Sequence, residues 1–178
     1  YAYGEAVRLL DQALKVQRVL NPDDKAKMCD LLLDLCDALL LVPDTRRILD
    51  TEAPAAFSLA EAIGDGSRAV RACVVALMAI ASEQSPLAYA APQAAEWAER
   101  AGRYARPDTM ERALADMALG ATRCATGDKQ SGLKLLAQAV ELARNLGDPN
   151  TLWTVAPALL LYQTAPQHTQ ESVRLAEE

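Results

Sequence analysis

The sequence predicts an all-α protein, in the form of a right-handed superhelical solenoid of antiparallel helix pairs. Its 178 residues are 51% hydrophobic but only 4% aromatic, and most of the apolar residues are Ala and Leu, which favour helices. β-Branched and aromatic residues form no alternating runs between turn residues, so strands are not predicted. The chain also matches itself at a long period, which is typical of stacked repeats.

The internal repeat is clearest between residues 5–24 and residues 131–150, which match at an offset of 126 residues, three periods of about 42. The matched residues of the first segment are Leu9, Leu10, Gln12, Ala13, Arg18 and Leu20. Helix-ending signals recur at Asn21, Gly64, Gly102 and Gly147, and helix-starting aspartates at Asp24, Asp65, Asp108 and Asp148. Each unit is therefore predicted to hold two helices and two short turns.

The segment Gly147-Asp148-Pro149 explains how these turns work. Gly can end a helix in the left-handed conformation, and Asp can cap the next helix by accepting from its free amides. Pro is tolerated at the first helical position, where no amide partner is lost. Gly127-Asp128 repeats the first two steps, and Asp108 and Glu111 have the spacing of a capping box. Such short turns predict antiparallel consecutive helices.

Five units follow from these signals, within one helical-repeat domain. The units cover residues 1–22, 23–64, 65–107, 108–147 and 148–178. With the two helices of a unit named A and B, the expected helices are B at 3–20; A at 23–41 and B at 44–63; A at 66–83 and B at 92–102; A at 108–126 and B at 128–146; and A at 149–164 and B from 168. Pro54 predicts a split or kink, and Pro157 a second kink. A globular helix bundle is the alternative to stacked pairs.

Charge and apolar patterning narrow the function classes. The net charge is −6 with a pI of about 4.9, and no basic patch is visible, so no nucleic-acid surface is predicted. The longest apolar stretch, Ala72 to Ala81, is too short to cross a bilayer, and there is no signal peptide. These features predict a cytoplasmic protein that does not enter the membrane. The chain starts without Met and ends in the helix-like ESVRLAEE, so we expect a segment of a larger protein.

The residue types that carry chemistry form no recognised constellation. The four cysteines, Cys29, Cys36, Cys73 and Cys124, lie in apolar helical runs without a CxxC pair, which predicts free buried thiols. With one histidine, His168, neither a metal site nor a cofactor is predicted. The phrase GDKQSGLK approaches a phosphate-binding loop but departs from it in spacing, and Glu96 and Glu99 fit an exposed helical edge. We therefore predict no catalytic residues and no enzymatic activity.

Four phrases, EAVRLLDQALKVQRVL, LLLDLCDALLLVPD, SLAEAIGD and ELARNLGD, resemble tetratricopeptide-like helical repeats. They are most similar to the long-period form in large bacterial signalling ATPases and transcriptional regulators. The resemblance implies a nucleotide-binding switch domain before the repeats and a helix-turn-helix or cyclase output after them. The period exceeds the ordinary one of about 34 residues, and the Trp/Gly/Tyr signature is missing, so no binding residue is carried over.

The resemblance implies that A helices line a concave groove, and one A helix carries a polar stripe there. Lys27, Asp30, Asp34 and Asp37 fall on one helical face. The positions matched to them are Ala69, Ala72, Ala76 and Ala79; Arg112, Ala115, Leu119 and Thr122; and Leu152, Val155, Leu159 and Tyr162. The groove would then be acidic at one end and apolar at the other, suited to a basic and apolar peptide. Alternatively, the stripe is solvated and the apolar positions pack against neighbouring helices.

The candidate partner-binding residues are therefore Lys27, Asp30, Asp34, Asp37, Arg112 and Tyr162. Aromatic residues could add anchors for a partner, namely Trp97, Trp153, Tyr89, Tyr104 and Tyr162. Core packing is the favoured role for Trp153 and Tyr162, whereas Tyr89, in the long loop of the third unit, fits an exposed role equally well.

The leading functional expectation is a non-catalytic interaction and regulatory scaffold. A protein or peptide bound in the groove would shift the switch of a larger bacterial signalling protein, in the first instance a transcriptional regulator with an ATPase switch. The alternatives are a small-effector-sensing repeat domain, the repeat region of a nucleotide-cyclase-type signalling protein, or a helical enzyme. Self-association through the apolar ends of cut repeats is a further possibility.

Overall fold

The computed structural model describes residues 2–42, 44–82, 88–163 and 173–175, and all regular elements within these ranges are helical. The all-α prediction is confirmed. The elements are α1 (Ala2–Leu20), α2 (Lys25–Leu39), α3 (Thr45–Arg47), a π-helical turn (Ile48–Glu52), α4 (Ala53–Ala62), α5 (Gly66–Ser82), a 3-10 turn (Ala88–Ala90), α6 (Pro92–Tyr104), α7 (Met110–Ala125), α8 (Lys129–Leu146) and α9 (Pro149–Tyr162).

The predicted helix bounds agree with these elements to within two residues at each described end. The predicted second helix of the last unit lies mostly outside the described residues, as do His168, Pro43 and part of the long loop of the third unit. Residues 173–175 are helical.

The chain divides into two compact bodies, Tyr1–Ala88 and Tyr89–Glu178. In the N-terminal body, α2 packs against α1, α4 and α5, and α4 packs against α5. In the C-terminal body, α7 packs against α6, α8 and α9, and α8 packs against α9. Each body therefore has one central A helix with neighbours on several sides. The assignment of the whole chain to one repeat domain stays a prediction.

Four of the helix starts use the predicted aspartate caps. The side chains of Asp24, Asp65, Asp128 and Asp148 accept from the amides three residues later, at 2.9, 3.0, 3.3 and 2.9 Å. The preceding helices end as expected, because Gly64, Gly127 and Gly147 have φ of +68°, +103° and +66°, a region that only Gly enters without strain. The local signals in the sequence are sufficient to place these turns.

The turn before α7 differs from the prediction in two ways. Helix α6 continues through Gly102 to Tyr104, so Gly102 does not end a helix. Helix α7 starts at Met110, and its cap is Thr109, whose hydroxyl accepts from the amide of Arg112 at 3.2 Å. Asp108 is not the cap but adopts a left-handed φ of +56°, a conformation that Asp tolerates better than most residues. The predicted capping box is therefore wrong by one residue.

The predicted break at Pro54 is confirmed as a π-helical turn. The amide of Ala53 donates to the carbonyl of Ile48, five residues earlier, immediately before the proline. Proline has no amide to donate and its ring would meet the preceding turn, so a widened turn upstream of Pro54 accommodates it. Pro157 lies inside α9, and this helix runs on to Tyr162.

The core of each body is built from small and branched aliphatic residues. The largest fully buried side chains of the N-terminal body include Leu32, Leu33, Leu35, Leu39 and Ile48. The core cluster of the C-terminal body contains Ala113, Leu136, Ala139, Val140, Ala143, Val155, Ala156, Leu159 and Leu175. The many alanines let the helix axes approach closely, so the low aromatic content is compatible with a dry core.

Candidate interaction surfaces

The predicted acidic stripe on α2 is paired with two arginines of α5. The Arg68 guanidinium contacts both carboxylate oxygens of Asp30, with Nε at 2.7 Å and Nη2 at 2.9 Å. Nη2 of Arg71 lies 2.9 Å from Asp34 and also contacts Asp37. Arg68 additionally pairs with Asp65, the cap of its own helix. We call these six residues the A-face cluster, because they join two A helices.

This pairing changes the electrostatic character of the predicted groove. Three carboxylates of α2 meet two guanidinium groups, so the face is not an open acidic surface. The hydrogen bond from Arg68 lowers the pKa of Asp30 below its ordinary value. Hydrogen bonds from the backbone amide and guanidinium of Arg68 do the same for the pKa of Asp65. Lys27, the remaining residue of the predicted stripe, is exposed at the start of α2.

Sequence reasoning missed Arg68 and Arg71 because the third unit was aligned one residue out of register. The caps show that Lys27 and Arg68 are equivalent, since the amide of each donates to the capping aspartate. The residues equivalent to the stripe are thus Arg68, Arg71, Val75 and Met78. The alanines that were aligned instead, Ala69, Ala72, Ala76 and Ala79, are fully buried. Equating the capping residues Asp24 and Asp65 gives the correct alignment of the two helices.

The same correction applies to the last A helix. Asp148 caps the amide of Thr151, so the equivalent residues are Thr151, Thr154, Ala158 and Leu161. The residues expected in the groove include Val155 and Leu159, which instead lie in the core of the C-terminal body. These positions pack against neighbouring helices, which was the alternative interpretation. In the fourth unit the alignment at Arg112 agrees with the Thr109 cap.

Arg112 bridges two helices of the C-terminal body. Its Nη2 donates to the carbonyl of Gly102 at 2.7 Å, and its Nε lies 3.7 Å from Oδ1 of Asp116. Burial raises the pKa of Asp116, and the positive charge of Arg112 opposes this shift. The contact with Gly102 joins the last turn of α6 to the first turn of α7. Arg112 therefore has a structural role in addition to its predicted place on the A face.

The aromatic candidates divide into buried and exposed residues. Trp97 is 3% exposed, and the Arg100 guanidinium lies 4.8 Å from its ring centre. Tyr162 and Tyr89 are half-buried, and burial raises the pKa of each phenol. Trp153 is 82% exposed, so the prediction that it packs in the core is wrong. An all-round apolar helix such as α9 does not reveal from sequence which of its faces is covered.

Trp153 borders a groove of about 700 Å³ beside α8 and α9. Its lining is mostly apolar and includes Ala143, Leu152, Trp153, Pro157, Leu160 and Leu175. Arg144 and Asp148 add one charge of each sign at its edge. The residues that flank 173–175 in the chain are outside those that the structure describes. Its volume and its mostly apolar lining make this groove a candidate small-molecule site among the described residues.

The described residues form no cluster that could bind a metal ion. The structure places no three of their His, Cys, Asp or Glu side chains where one metal ion could bind them. Glu96 and Glu99 are exposed. The GDKQSGLK phrase spans the end of the turn from α7 to α8 and the start of α8, where Asp128 caps the amide of Ser131.

Three of the four cysteines are buried and Cys124 is half-buried. The Cys29 thiol donates to the carbonyl of Ala56 at 3.3 Å. Burial raises the pKa of Cys29 to about 11 and that of Cys36 to about 12. Such thiols are protonated at neutral pH and behave as small apolar side chains.

Comparisons with known proteins add no family assignment. No protein-family model matches the chain, and no curated protein matches it significantly. Among the described helices, none is both long enough and apolar enough to span a bilayer.

Proposed function

We propose that the chain is a non-catalytic interaction region made of stacked, tetratricopeptide-like helix pairs. The observation that carries this proposal is the direct packing of successive A helices, α2 against α5 in one body and α7 against α9 in the other. Each A helix also packs against the B helix between them or beside it. This neighbour-to-neighbour packing is what a stack of helix pairs requires, and it presents the A helices side by side as a binding surface.

The A-face cluster supports a binding surface that is preorganised in the absence of a partner. Cross-helix pairs hold the Arg68 and Arg71 side chains against α2, so less side-chain entropy would be lost on binding. Met78, about two turns beyond Arg71 on α5, is 48% exposed and offers an adaptable apolar contact. Because most of the acidic charge is paired, the partner proposed is a protein or peptide segment of mixed polar and apolar character, not a strongly basic one.

A random library of 16-residue peptides panned on the immobilised chain tests this binding surface. We expect the enriched peptides to lose at least tenfold in affinity for Met78→Asp and Lys27→Glu, two exposed changes that leave the A-face ion pairs in place. Val19→Asp is the matched control, because Val19 is exposed on α1 of the same body. Failure to enrich any peptide, or an equal loss in the control, would contradict the proposal.

On the resemblance described above, we place this region in a larger cytoplasmic bacterial signalling protein. A partner bound on the A face would then bias an adjoining ATPase switch in a transcriptional regulator, or in a protein with a cyclase output. The test is the sequence that flanks these residues in the full gene product. A nucleotide-binding domain before them and a helix-turn-helix or cyclase after them is the expected outcome, and neither being present would overturn this placement.

A second candidate function, effector sensing, is favoured by the groove beside Trp153. Its volume of about 700 Å³ lies in the range typical of small-molecule sites. The probe proposed is the apolar anion 1-anilinonaphthalene-8-sulfonate, whose fluorescence should rise by energy transfer from Trp153. We expect Trp153→Ala to weaken its binding at least tenfold and Met110→Ala, an exposed control on α7, to leave it unchanged. Equal binding by all three proteins would exclude this groove as the site.

A further inference from the structure

We propose that α1 is a strap that opens as a unit while the rest of the N-terminal body stays folded, and that the ion pair between Arg47 and Asp11 is the latch that holds it closed. Within the described part of the chain, α2 is the one helix against which α1 packs extensively. This conformational device involves a different element from the A-face cluster and does not depend on binding at that surface.

The packing that holds α1 is much thinner than that of the helices beside it. Of residues 3–20, whose side chains the structure describes, only Leu14 is buried, at 3% exposure. Helix α2 buries six side chains in 15 residues, and α5 buries nine in 17. Because local opening costs least where few apolar contacts are made, α1 should open before α2 or α5.

Helix α8 shows how much more packing the same sequence pattern can support. At the offset of 126 residues, Leu10 and Ala13 correspond to Leu136 and Ala139. The two residues of α8 are fully buried, whereas those of α1 are half-buried. Helix α8 packs against both α7 and α9, so the shared pattern gives α1 a smaller apolar contact than it gives α8.

The ion pair of Arg47 gives α1 a second, polar attachment. Nη1 of Arg47 lies 3.1 Å from Oδ2 of Asp11, and Nη2 lies 2.5 Å from Oδ1, which is the two-point geometry of strong Arg–carboxylate pairs. The hydrogen bond from Arg47 lowers the pKa of Asp11, so this carboxyl is ionised at neutral pH. At the position equivalent to Asp11, α8 has Ala137. The polar attachment therefore has no counterpart in α8.

The Arg47 half of the latch is held in place independently of α1. Nε and Nη2 of Arg47 lie 2.9 and 2.8 Å from Oε1 of Glu52, a residue that is 6% exposed at the end of the π-helical turn. Leaving a buried carboxylate without its partner is costly, so Arg47 should stay with Glu52 when α1 moves away. The ion pair with Asp11 can then break and form again on a guanidinium that is already positioned.

Ionic strength should shift the equilibrium between closed and open α1. The side chains of Arg47 and Asp11 are 30% and 32% exposed, so dissolved ions can screen their attraction. The contact of Leu14 does not depend on charge and is not screened in this way. Since the open state exposes the surface on which Leu14 packs, the latch controls access to a surface that the closed structure covers.

Native-state hydrogen exchange of the intact chain, followed by mass spectrometry, tests the strap. We expect protection factors in α1 to be at least about tenfold lower than those in α2 and α5. Asp11→Asn should lower protection in α1 by about fivefold, the loss of one part-exposed ion pair, and leave α2 and α5 unchanged. Glu5→Gln is the matched control, because it removes the other acidic charge of α1, which pairs with Arg8 inside the same helix.

Salt dependence then separates the latch from a general loss of helix stability. Raising NaCl from roughly 0.05 to roughly 1 M should speed exchange in α1 of the wild type and of Glu5→Gln, but much less in Asp11→Asn. Leu14→Ala should speed exchange in α1 by more than about tenfold, as expected for a buried leucine, and should retain the salt response.

Three results would each overturn the proposal. The first is equal protection of α1 and α2 in the wild type, which would mean that α1 opens only with the whole body. The second is an equal loss of protection in α1, α2 and α5 of Asp11→Asn. The third is a salt response that persists undiminished in Asp11→Asn, because the ion pair with Arg47 would then not be the latch.

Discussion

Replacing Gly132 by Ala tests the closest helix contact in the C-terminal body. A Cβ built on Gly132 of α8 would lie 2.7 Å from the carbonyl oxygen of Gly120 and 2.8 Å from the amide nitrogen of Cys124, and it would also overlap the Cys124 sulfur. Two of these atoms belong to the backbone of α7, so they cannot move aside alone. The helices must separate, or the turn at Gly127 must distort.

The magnitude follows from two opposing effects. Ala in place of Gly inside a helix stabilises it by up to about 1 kcal/mol. Overpacking of a close contact costs about 3 kcal/mol at the upper end of the usual range, which is appropriate here because backbone atoms are involved. The expected net loss is about 2 kcal/mol, roughly a 30-fold change in the folding equilibrium.

Urea unfolding measured by circular dichroism reports this loss, and hydrogen exchange shows whether the amides of α7 and α8 lose protection first. Gly4→Ala is the matched control, since a Cβ there meets nothing within 4 Å, and it should be neutral or slightly stabilising. Adding Cys124→Ala to Gly132→Ala should restore only part of the stability, because the backbone contacts remain. A Gly132→Ala protein as stable as the Gly4→Ala control would refute the packing argument.

Three further predictions concern charge, thiols and aromatic exposure. Arg68→Gln should destabilise the chain at pH 7. The stability difference from the wild type should shrink as the pH falls below about 4, because the ion pair with Asp30, whose pKa is lowered, stabilises the fold only while that carboxyl is ionised. A difference that stays constant in melts at different pH values would contradict this prediction. Ellman's reagent at pH 8 should modify Cys124 before Cys29 and Cys36, whose raised pKa values keep them protonated, and equal rates by mass spectrometry would be the contrary result. Acrylamide quenching should fall sharply in Trp153→Phe, which leaves only the buried Trp97, and should not fall in Trp97→Phe, which leaves the exposed Trp153; the reverse would mean that Trp153 is covered.

The helices were predictable because their signals are local. Asp24 and Asp148 cap the starts of helices, and Gly64 and Gly147 end helices. The spacing of the apolar residues indicates the helical segments between these ends. The error at Gly102 has a tertiary cause. Gly102 is a plausible helix end in isolation, but its carbonyl accepts from Arg112 of the next helix, and the helix continues to Tyr104. Nothing in the sequence of residues 92–104 indicates this hydrogen bond from Arg112.

The binding surface was less predictable because a one-residue shift turns a helix by about 100°. At the start of α5 this rotation separates Arg68 and Arg71 from the buried Ala69 and Ala72. The caps contained the right register, since a capping aspartate and the amide three residues later form one geometric unit. The predicted alignment placed the third and the last A helix one residue beyond the register that the observed cap hydrogen bonds give.

Alignment on the observed caps also reveals a relation among the A helices. The third residue of each of the first three A helices is basic: Lys27, Arg68 and Arg112. Arg68 reaches Asp30 on the preceding A helix, whereas Arg112 reaches the end of the preceding B helix. The third residue of an A helix thus joins helices in two different ways: Arg68 binds a side-chain carboxylate, and Arg112 binds a backbone carbonyl.

Asp30 on α2 has no acidic counterpart on α5, where Arg71 stands at the equivalent position. The cross-helix ion pairing is therefore specific to the α2–α5 contact and is not a constant feature of the repeat. A partner that contacts these side chains would bind the α2–α5 pair in preference to α7 and α9.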